Sequence, residues 1–349
     1  MGVDGSTTAN AIRARKVDPV KTIRLTPEEL APAIQALLKG EVVAFPTETV
    51  YGLGAHGLRA DAVARIFAVK GRPADNPLIL HVLDQKALRR LTVDDEMDPA
   101  AIALTEAFWP GPLTVVVPAA PTIPREVTAG LPTVAVRAPS HPVARALIAG
   151  VGVPIAAPSA NLSGRPSPTT FAAVWEDLAG RVPYIIDGGR CAVGVESTVV
   201  DCTTRPVTIL RPGGISVEMV ASVVGEVQYP HPGGPARAPG MKYRHYAPKK
   251  ELIWVVGSET RDLVRARGAE LSSYRTLAVI APHGVVAPPE WPSASLGADE
   301  VSAAHELFSA IRRMDQTDAE AIVVMWSSLK GLGQAVANRL EKAASMKVE

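Results

Sequence analysis

Residues 230–240 read Pro-His-Pro-Gly-Gly-Pro-Ala-Arg-Ala-Pro-Gly and divide the chain into two parts. Seven of these eleven residues are proline or glycine, and such a stretch can be neither a helix nor a central strand. A segment of about a hundred residues follows it, which is a common size for a domain. We therefore predict folded domains at residues 21–225 and 250–349, a linker at 226–249 and a disordered extension at 1–20.

The part after this linker alternates strands and helices. Its apolar runs predict buried strands at 252–256, 276–280 and 321–325. Its amphipathic segments predict helices at 261–271, 301–314 and 333–344. Regular alternation is typical of a parallel sheet covered on both faces, so we expect a small, doubly wound, Rossmann-like α/β domain.

The part before the linker has more strands than helices. Its first predicted helix has Thr26 as N-cap and ends at Gly40, and a second at 61–69 runs into Lys70. Strands are predicted at 41–45, 78–82, 113–117, 134–137, 155–157, 184–187, 198–201 and 207–210, with a loop at 46–57. Because strands often follow one another directly, we predict a mixed α+β fold with a curved, open sheet.

The composition narrows the classes of partner. The 349 residues include 36 basic and 35 acidic ones, a net charge of +1, so bulk charge offers no case for strong binding to nucleic acid or a membrane. Cys191 and Cys202 lack Cys-x-x-Cys spacing, and no His-Glu-x-x-His pair occurs. We therefore expect no zinc site and no disulfide framework, and the cysteine content fits a reducing cytoplasm.

One glycine-rich stretch imitates a dinucleotide site. Residues 52–57, Gly-Leu-Gly-Ala-His-Gly, satisfy the pattern G-x-G-x-x-G. In a true site the first glycine follows a strand at once and the third opens a helix. Here six residues separate Phe45, the end of the predicted strand, from the first glycine of the pattern. Leu58 then separates the third glycine from the next predicted helix. We therefore expect neither NAD nor flavin, and the P-loop pattern is also missing from the sequence.

Two tripeptides carry the groups that phosphate chemistry needs. Lys70-Gly71-Arg72 ends a predicted helix, and Ser159-Ala160-Asn161 follows a predicted strand. Together they supply two cations, a hydroxyl and an amide. Lysine at a helix end is equally typical of a C-terminal cap, and serine and asparagine are typical of turns. Spacing alone leaves both interpretations open.

Three other polar residues have the same ambiguity. His81 lies in an apolar strand, where a core histidine is the simpler interpretation. Arg137 ends a strand and could bind an anion or form a surface ion pair. Ser197 could equally cap or begin a strand. No residue is identified as a general base.

Five motifs in this order resemble the YrdC-like threonylcarbamoyl-AMP synthases. They are Pro46-Thr-Glu-Thr-Val-Tyr-Gly-Leu, Lys70-Gly-Arg-Pro with Asn76-Pro-Leu and His81, Pro158-Ser-Ala-Asn, Glu196-Ser-Thr-Val-Val-Asp and Leu210-Arg-Pro-Gly. The stretch 240–248 and the tail, with Gly331-Leu-Gly and Asn338-Arg-Leu, resemble the longer, two-domain branch of the family. The resemblance covers about residues 23 to 345.

The resemblance implies both a fold and a reaction. The fold would be an open, twisted, mixed sheet with a concave, positively charged cavity, followed by a small Rossmann-like domain. The enzyme would be a cytoplasmic nucleotidyltransferase that converts L-threonine, bicarbonate (or CO2) and ATP, with Mg2+ on the ATP phosphates, into threonylcarbamoyl-AMP and pyrophosphate. A downstream transferase complex would use the product to make N6-threonylcarbamoyladenosine at position 37 of tRNA, and weak binding of double-stranded RNA is a further expectation.

The resemblance also implies site residues. The signature set, taken as catalytic, is Lys70, Arg72, Ser159 and Asn161. The candidates for ATP are Arg72, Asn76, Thr133, Ser159, Ser167, Arg211, His245 and Tyr246. The candidates for L-threonine are Thr49, His81, Arg137, Ala157 and Ser197. The linker is either a plain tether or a lid that closes over the nucleotide and excludes water.

Three other functions remain as alternatives. A double-stranded-RNA-binding or ribosome-maturation factor would show steeply salt-dependent RNA affinity without ATP turnover. A carbamoyl-phosphate enzyme of hydrogenase maturation would need zinc-finger cysteines, which the sequence lacks. A dinucleotide oxidoreductase would bind NAD(H).

Overall fold

The computed structural model describes residues 19–230 and 245–349. The predicted extension at 1–20, apart from its last two residues, lies outside the described residues, as does the centre of the predicted linker at 226–249. Disorder of the extension therefore remains a prediction, and so does the role of the linker as a lid.

From residue 19 to residue 230 the chain forms one mixed sheet with helices packed on it. Its strands are β1 (Ile23–Leu25), β2 (Val43–Phe45), β3 (Gly52–His56), β4 (Ile79–His81), β5 (Leu113–Pro118), β6 (Thr133–Arg137), β7 (Ile155–Ala157), β8 (Tyr184–Ile186), β9 (Thr198–Asp201), β10 (Val207–Arg211) and β11 (Val227–Gln228). Its helices are α1 (Leu30–Leu38), α2 (Ala60–Lys70), α3 (Gln85–Arg89), α4 (Pro99–Phe108), α5 (Arg125–Thr128), α6 (Pro142–Val151), α7 (Phe171–Leu178) and α8 (Val217–Val224).

The strand order confirms the mixed sheet. It runs β1-β8-β2-β3-β7-β4-β6-β5-β9-β10-β11, with β4 parallel to β6 and antiparallel to β7. Successive side chains of a strand point to opposite faces. Leu80 and Val136 accordingly pack in the main hydrophobic core, whereas His81 and Arg137, which are register partners, lie on the other face. This second face carries the candidate site.

Helix α2 forms as the sequence predicts and places Lys70. Asp61 lies in its first turn and Lys70 in its last, both favourable for the helix dipole. Gly71 ends the helix with a φ of +63°, a left-handed conformation that glycine adopts without strain.

Two predictions in this part are wrong. Helix α1 begins at Leu30 with Glu29 as its N-cap rather than after a Thr26 cap, although the Glu29 carboxylate does accept the backbone N–H of Thr26 at 3.0 Å, as in a capping box. The predicted loop at 46–57 contains strand β3. A Cβ on Gly54 would lie 2.8 Å from the Phe45 ring, so the glycine permits close strand packing and is not part of a strand-to-helix turn.

From residue 245 to the end, the chain forms a smaller, all-parallel sheet, as predicted. Its strands are β12 (Glu251–Val255), β13 (Leu277–Ala281), β14 (Ser293–Ser295), β15 (Ala321–Met325) and β16 (Met346–Val348), in the order β14-β13-β15-β12-β16. Its helices are α9 (Thr260–Gly268), α10 (Glu300–Asp315) and α11 (Gly333–Ala343). The edge strands β14 and β16 were not predicted, because short half-exposed strands have weak apolar patterns.

Helices α10 and α11 pack against the first part of the chain. Arg312 of α10 donates to Asp177 Oδ2 at 2.7 Å and to the carbonyl of Pro166 at 2.6 Å. Gly194 approaches α10 so closely that a Cβ there would lie 2.4 Å from the Cα of His305. Within the described residues, no helix is both long and apolar enough to cross a membrane.

Candidate active site

A pocket opens on the face of the large sheet that carries His81 and Arg137, with an empty volume of about 710 Å³. It is lined by Thr47, Thr49, Val50, Tyr51, Gly52, Lys70, Arg72, Ile79, His81, Arg137, Ala157, Pro158, Ser159, Asn161, Ser163, Gly164, Glu196, Ser197, Arg211, His245 and Tyr246. Most of these residues end or follow strands or helices, so separate stretches of sequence converge on one cavity.

Lys70, Ser159 and Asn161 form a connected group in this pocket. The Lys70 ammonium donates to the backbone carbonyls of Ser159 and Asn161. The Ser159 hydroxyl donates to Asn161 Oδ1 at 2.5 Å. Burial, followed by the nearby charge of Arg72, holds the pKa of Lys70 well below its ordinary value. The two carbonyls fix the position of this buried cation at the end of α2.

Arg72 and Arg211 are held by backbone carbonyls. Arg72 donates to the carbonyl of Asn76 at 3.2 Å and to that of Pro77 at 3.0 Å. Burial lowers the pKa of Arg72 to about 10, so its guanidinium stays charged at neutral pH. Arg211 donates to the carbonyl of Ser197 at 2.9 Å and to its hydroxyl at 3.2 Å. Fixed guanidinium groups of this kind suit phosphate recognition.

A second end of the pocket is built around Arg137. Its Nη1 donates to Thr49 Oγ1 at 2.7 Å, and its Nε donates to the carbonyl of Gly111 at 3.2 Å. Its Nη2 lies 2.6 Å from the carboxylate of Glu48. Although burial favours the neutral acid, the charge of Arg137 keeps the pKa of Glu48 below its ordinary value.

His81 is a buried, neutral histidine at the same end. Burial, helped by the charge of Arg137, lowers the pKa of His81 to about 3. Its Nδ1 lies 3.2 Å from the carbonyl of Ile79. A neutral imidazole can offer one donor and one acceptor to a ligand and will not compete with Arg137 for a carboxylate.

Glu196 was missed as a site residue, although its motif was noted. It lines the pocket, and its Oε1 accepts the hydroxyl of Ser167 at 2.5 Å. Its Oε2 accepts Nε of Arg339, from helix α11, at 2.7 Å. Burial alone would raise its pKa, but the charges of Arg339 and Arg211 hold the pKa of Glu196 at about 2.

His245 and Tyr246 enter the pocket from the described end of the predicted linker. Tyr246 has a φ of +66°, and its ring packs on Phe308 of α10 with centroids 5.3 Å apart. Burial, with the charge of Arg72, lowers the pKa of His245 to about 4. These two residues therefore join the second sheet to the pocket of the first.

The structure brings most of the predicted site residues together. Those that line the pocket are Lys70, Arg72, Ser159, Asn161, Arg211, His245, Tyr246, Thr49, His81, Arg137, Ala157 and Ser197. Asn76 and Ser167 lie just behind the wall, beside Arg72 and Glu196 respectively. Thr133 begins β6 at the opposite end of the strand from Arg137. The assignment of each residue to a ligand remains a prediction.

The lining has an excess of positive charge. Among the described residues it contains Lys70, Arg72, Arg137 and Arg211 against the single carboxylate of Glu196. Clusters of three or more histidine, cysteine or acidic side chains that could hold a metal are absent from residues 19–230 and 245–349. This excess of positive charge fits an anionic ligand.

Comparisons with known proteins agree with this geometry. Residues 35–213 match the family model described as telomere recombination, and residues 215–345 match that of the threonylcarbamoyl-AMP synthase C-terminal domain. The chain is 47% identical to the threonylcarbamoyl-AMP synthase of Pyrococcus abyssi, over 89% of this chain and 92% of that protein. It is 41% identical to that of Bacillus subtilis, over 95% of this chain and 97% of that protein.

A solved structure matches over both sheets. The crystal structure of P. abyssi Sua5 complexed with L-threonine superposes with a TM-score of 0.85 and 43% identity, covering 94% of this chain and 99% of that one. The two matched family models lie on either side of residue 214; the first covers strands β2 to β10 of the large sheet, and the second covers strands β12 to β15 of the parallel sheet. The chain therefore belongs to the threonylcarbamoyl-AMP synthase family, in its two-domain form.

Proposed function

We propose that this protein is an L-threonylcarbamoyladenylate synthase, which joins L-threonine, bicarbonate or CO2 and ATP into threonylcarbamoyl-AMP with release of pyrophosphate. The observation that carries the proposal is that one pocket gathers two separately held groups of cationic side chains, which we take as its two ends. Lys70, Arg72 and Arg211 form one end, and Arg137 with Thr49 and His81 forms the other. The names of the relatives and the L-threonine complex of the P. abyssi protein support the same function.

The first end suits the triphosphate. In the reaction, the neutral threonine amine attacks CO2 and gives up a proton to water, which yields a carbamate, and a carbamate oxygen then attacks the α-phosphorus of ATP. A new P–O bond forms to the carbamate, and the bond to pyrophosphate breaks. Lys70, Arg72 and Arg211 neutralise the charge that moves onto the leaving oxygens. A magnesium ion bound to ATP would add to this neutralisation, and Lys70, Arg72 and Arg211 would hold its phosphate complex.

The second end suits the amino acid. Arg137 binds the threonine carboxylate through its guanidinium, which Glu48 and Thr49 already hold in place. The threonine hydroxyl bonds to Thr49 or His81, since a site that is built to bond a hydroxyl rejects the analogue without one. Ser197 links the two ends, because its hydroxyl bonds both to Arg211 and to Thr114, the register partner of Arg137.

The remaining parts of the proposal concern the cellular setting. The product is a reactive mixed anhydride, so a downstream transferase that modifies adenosine 37 of tRNA is its consumer, and the cytoplasm is the proposed location. Weak binding of double-stranded RNA is retained as a prediction, which a net charge of +1 does not favour.

The test is mass spectrometry of a reaction that contains the protein, L-threonine, bicarbonate, Mg2+ and ATP, with pyrophosphate followed in parallel. We expect a threonylcarbamoyl-adenylate peak that requires all the substrates and is lost when L-valine replaces L-threonine. Pyrophosphate without that adduct would point to a different acceptor. If the folded protein formed neither the adenylate nor pyrophosphate, the proposed function would be contradicted.

A further inference from the structure

The carboxylate of Glu196 is an unexpected group in a pocket for phosphates. It lies on the same cavity wall as Arg211 and is 6% exposed. An ionised carboxylate repels a triphosphate unless a cation offsets its charge, and the repulsion is strong where water is excluded. That cation comes from the part of the chain that forms the smaller sheet, residues 245–349, which we call the second sheet unit. There Arg339 of α11 is 1% exposed and donates to Glu196 Oε2.

Arg339 holds more than the carboxylate. Its Nη1 donates to the carbonyl of Pro212 at 2.9 Å, directly after Arg211. The backbone carbonyl of Glu196 accepts the N–H of Gly214 at 3.1 Å, so Glu196 and Arg339 both fix the turn that follows Arg211. The Arg339 guanidinium also lies 5.6 Å from the centre of the Tyr246 ring.

We propose that Arg339 is a positioning residue of the nucleotide end of the pocket, which offsets the charge of Glu196 and fixes the turn after Arg211. The second sheet unit thereby sets the affinity of the pocket for ATP. This inference rests on the proposed function, because it takes ATP as the ligand of that end. In this proposal the second sheet unit contributes to the site by its charge, which is a different role from that of a lid over the pocket.

The test measures the Kd of the full chain for ATP with Mg2+ by titration calorimetry, which needs no turnover. For Arg339→Gln at pH 7.5 we expect a Kd at least about tenfold weaker than that of the wild type, because a buried carboxylate loses its partner beside the phosphates. The double variant Glu196→Gln/Arg339→Gln removes both charges and should recover most of that loss.

The pH dependence separates a charge effect from simple loss of packing. In Arg339→Gln the Kd should improve as the pH falls from 7.5 to 5.5, because a Glu196 without Arg339 takes up a proton more readily. The groups that face Glu196 are Arg339 and Lys342 of α11, Arg211 of β10, the hydroxyl of Ser167, and His245 and Tyr246. Any pH dependence that persists in the double variant belongs to ATP itself or to the remaining groups of this set.

Arg312→Gln is the matched control. Arg312 is also a buried arginine that pairs across the two units, with Asp177, but it does not line the pocket. It should lower the thermal midpoint and leave the Kd for ATP within about twofold. Equal Kd values for wild type and Arg339→Gln, an equal loss in Arg312→Gln, or no recovery in the double variant would each overturn the inference.

Three further outcomes can be distinguished. If Arg339→Gln does not fold, Arg339→Lys replaces it, and we expect a Kd weakened by about threefold and flat in pH, since lysine keeps the charge and loses the planar fork; an unchanged Kd would overturn the inference. A wild type that binds ATP without forming the adenylate would contradict the proposed function and leave the Kd comparison intact. A wild type that binds no ATP would contradict both.

Discussion

Two buried arginine–glutamate pairs hold the two ends of the pocket, and they are built differently. Arg137 and Glu48 lie 2.6 Å apart, with 4% and 9% of their side chains exposed, and both belong to the large sheet unit. Arg339 and Glu196 lie 2.7 Å apart, with 1% and 8% exposed, and join the two units. In the first pair the arginine lines the pocket, and in the second the glutamate does.

The difference shows how one kind of interaction serves two purposes. Glu48 holds the Arg137 cation in place without lining the cavity, and both members of this pair belong to the large sheet unit. Arg339 offsets an anion that would otherwise repel a ligand, so the nucleotide end depends on the docking of the small sheet. A buried pair is costly to break on either side, because the remaining charge is left unpaired at a cost of about 3–5 kcal/mol.

The largest expected effect is that substitutions at the two ends of the pocket change the KM values of different substrates. Arg137→Lys should raise the KM for threonine by about 10- to 100-fold and leave the KM for ATP nearly unchanged, because lysine keeps the charge but loses the bidentate fork. Arg211→Lys should do the reverse. Steady-state kinetics with the other substrate saturating measures both. If each variant raised both KM values equally, the division of the pocket into two ends would be wrong.

A stability difference should separate two glycines with similar backbones. Gly194 has a φ of +85° and packs against His305, whereas Gly189 has a φ of +80° and open space among the described residues within 4 Å of where a Cβ would lie. Gly189→Ala should cost about 1 kcal/mol for backbone strain. Gly194→Ala should cost about 2–4 kcal/mol, because a clash with α10 is added. Thermal unfolding midpoints compare the two, and equal losses would argue against close docking at Gly194.

A smaller effect should appear in amino acid selection. Thr49→Val preserves the shape of the side chain and removes the hydroxyl that accepts from Arg137. We expect the ratio of kcat/KM for threonine over valine to fall by about tenfold. Thr105→Val is the control, since Thr105 is also a buried threonine, its hydroxyl donates to the carbonyl of Ala101 at 2.7 Å, and it does not line the pocket. An equal fall in both variants would mean that the Thr49 hydroxyl does not decide the selection.

The last expected effect concerns acid stability and is measured as a slope against pH. The folded pKa of Glu196 is about 2, below its ordinary value of 4.5. Its contribution to stability is therefore complete above pH 4.5 and is lost as the pH falls towards 2. Glu196→Gln should weaken the dependence of the unfolding midpoint on pH between about 5 and 3. An unchanged dependence would mean that other carboxylates, such as Glu48, dominate acid unfolding.

Local patterns predicted much of the fold. The α2 helix with Lys70 in its last turn and Gly71 after it follows from capping and periodicity. The parallel second sheet follows from alternating apolar runs, and its central strands were predicted within one or two residues. Helices such as α4 and α6 were missed, although Asp98 and His141 cap them and proline opens each one, so these local signals were present in the sequence and were overlooked.

The candidate site was predicted through ordered motifs and their resemblance to a family, because spacing alone left Lys70, His81 and Arg137 with simpler structural interpretations. By itself the sequence determined the secondary structure near each motif, since capping, alternation and glycine conformation act over a few residues. Only the tertiary structure decided that 52–56 is a strand, that Glu48 holds Arg137, and that Arg339 reaches Glu196. Glu196 and Arg339 are 143 residues apart in the chain, and no local periodicity encodes a contact that forms only when two separately folded sheets dock.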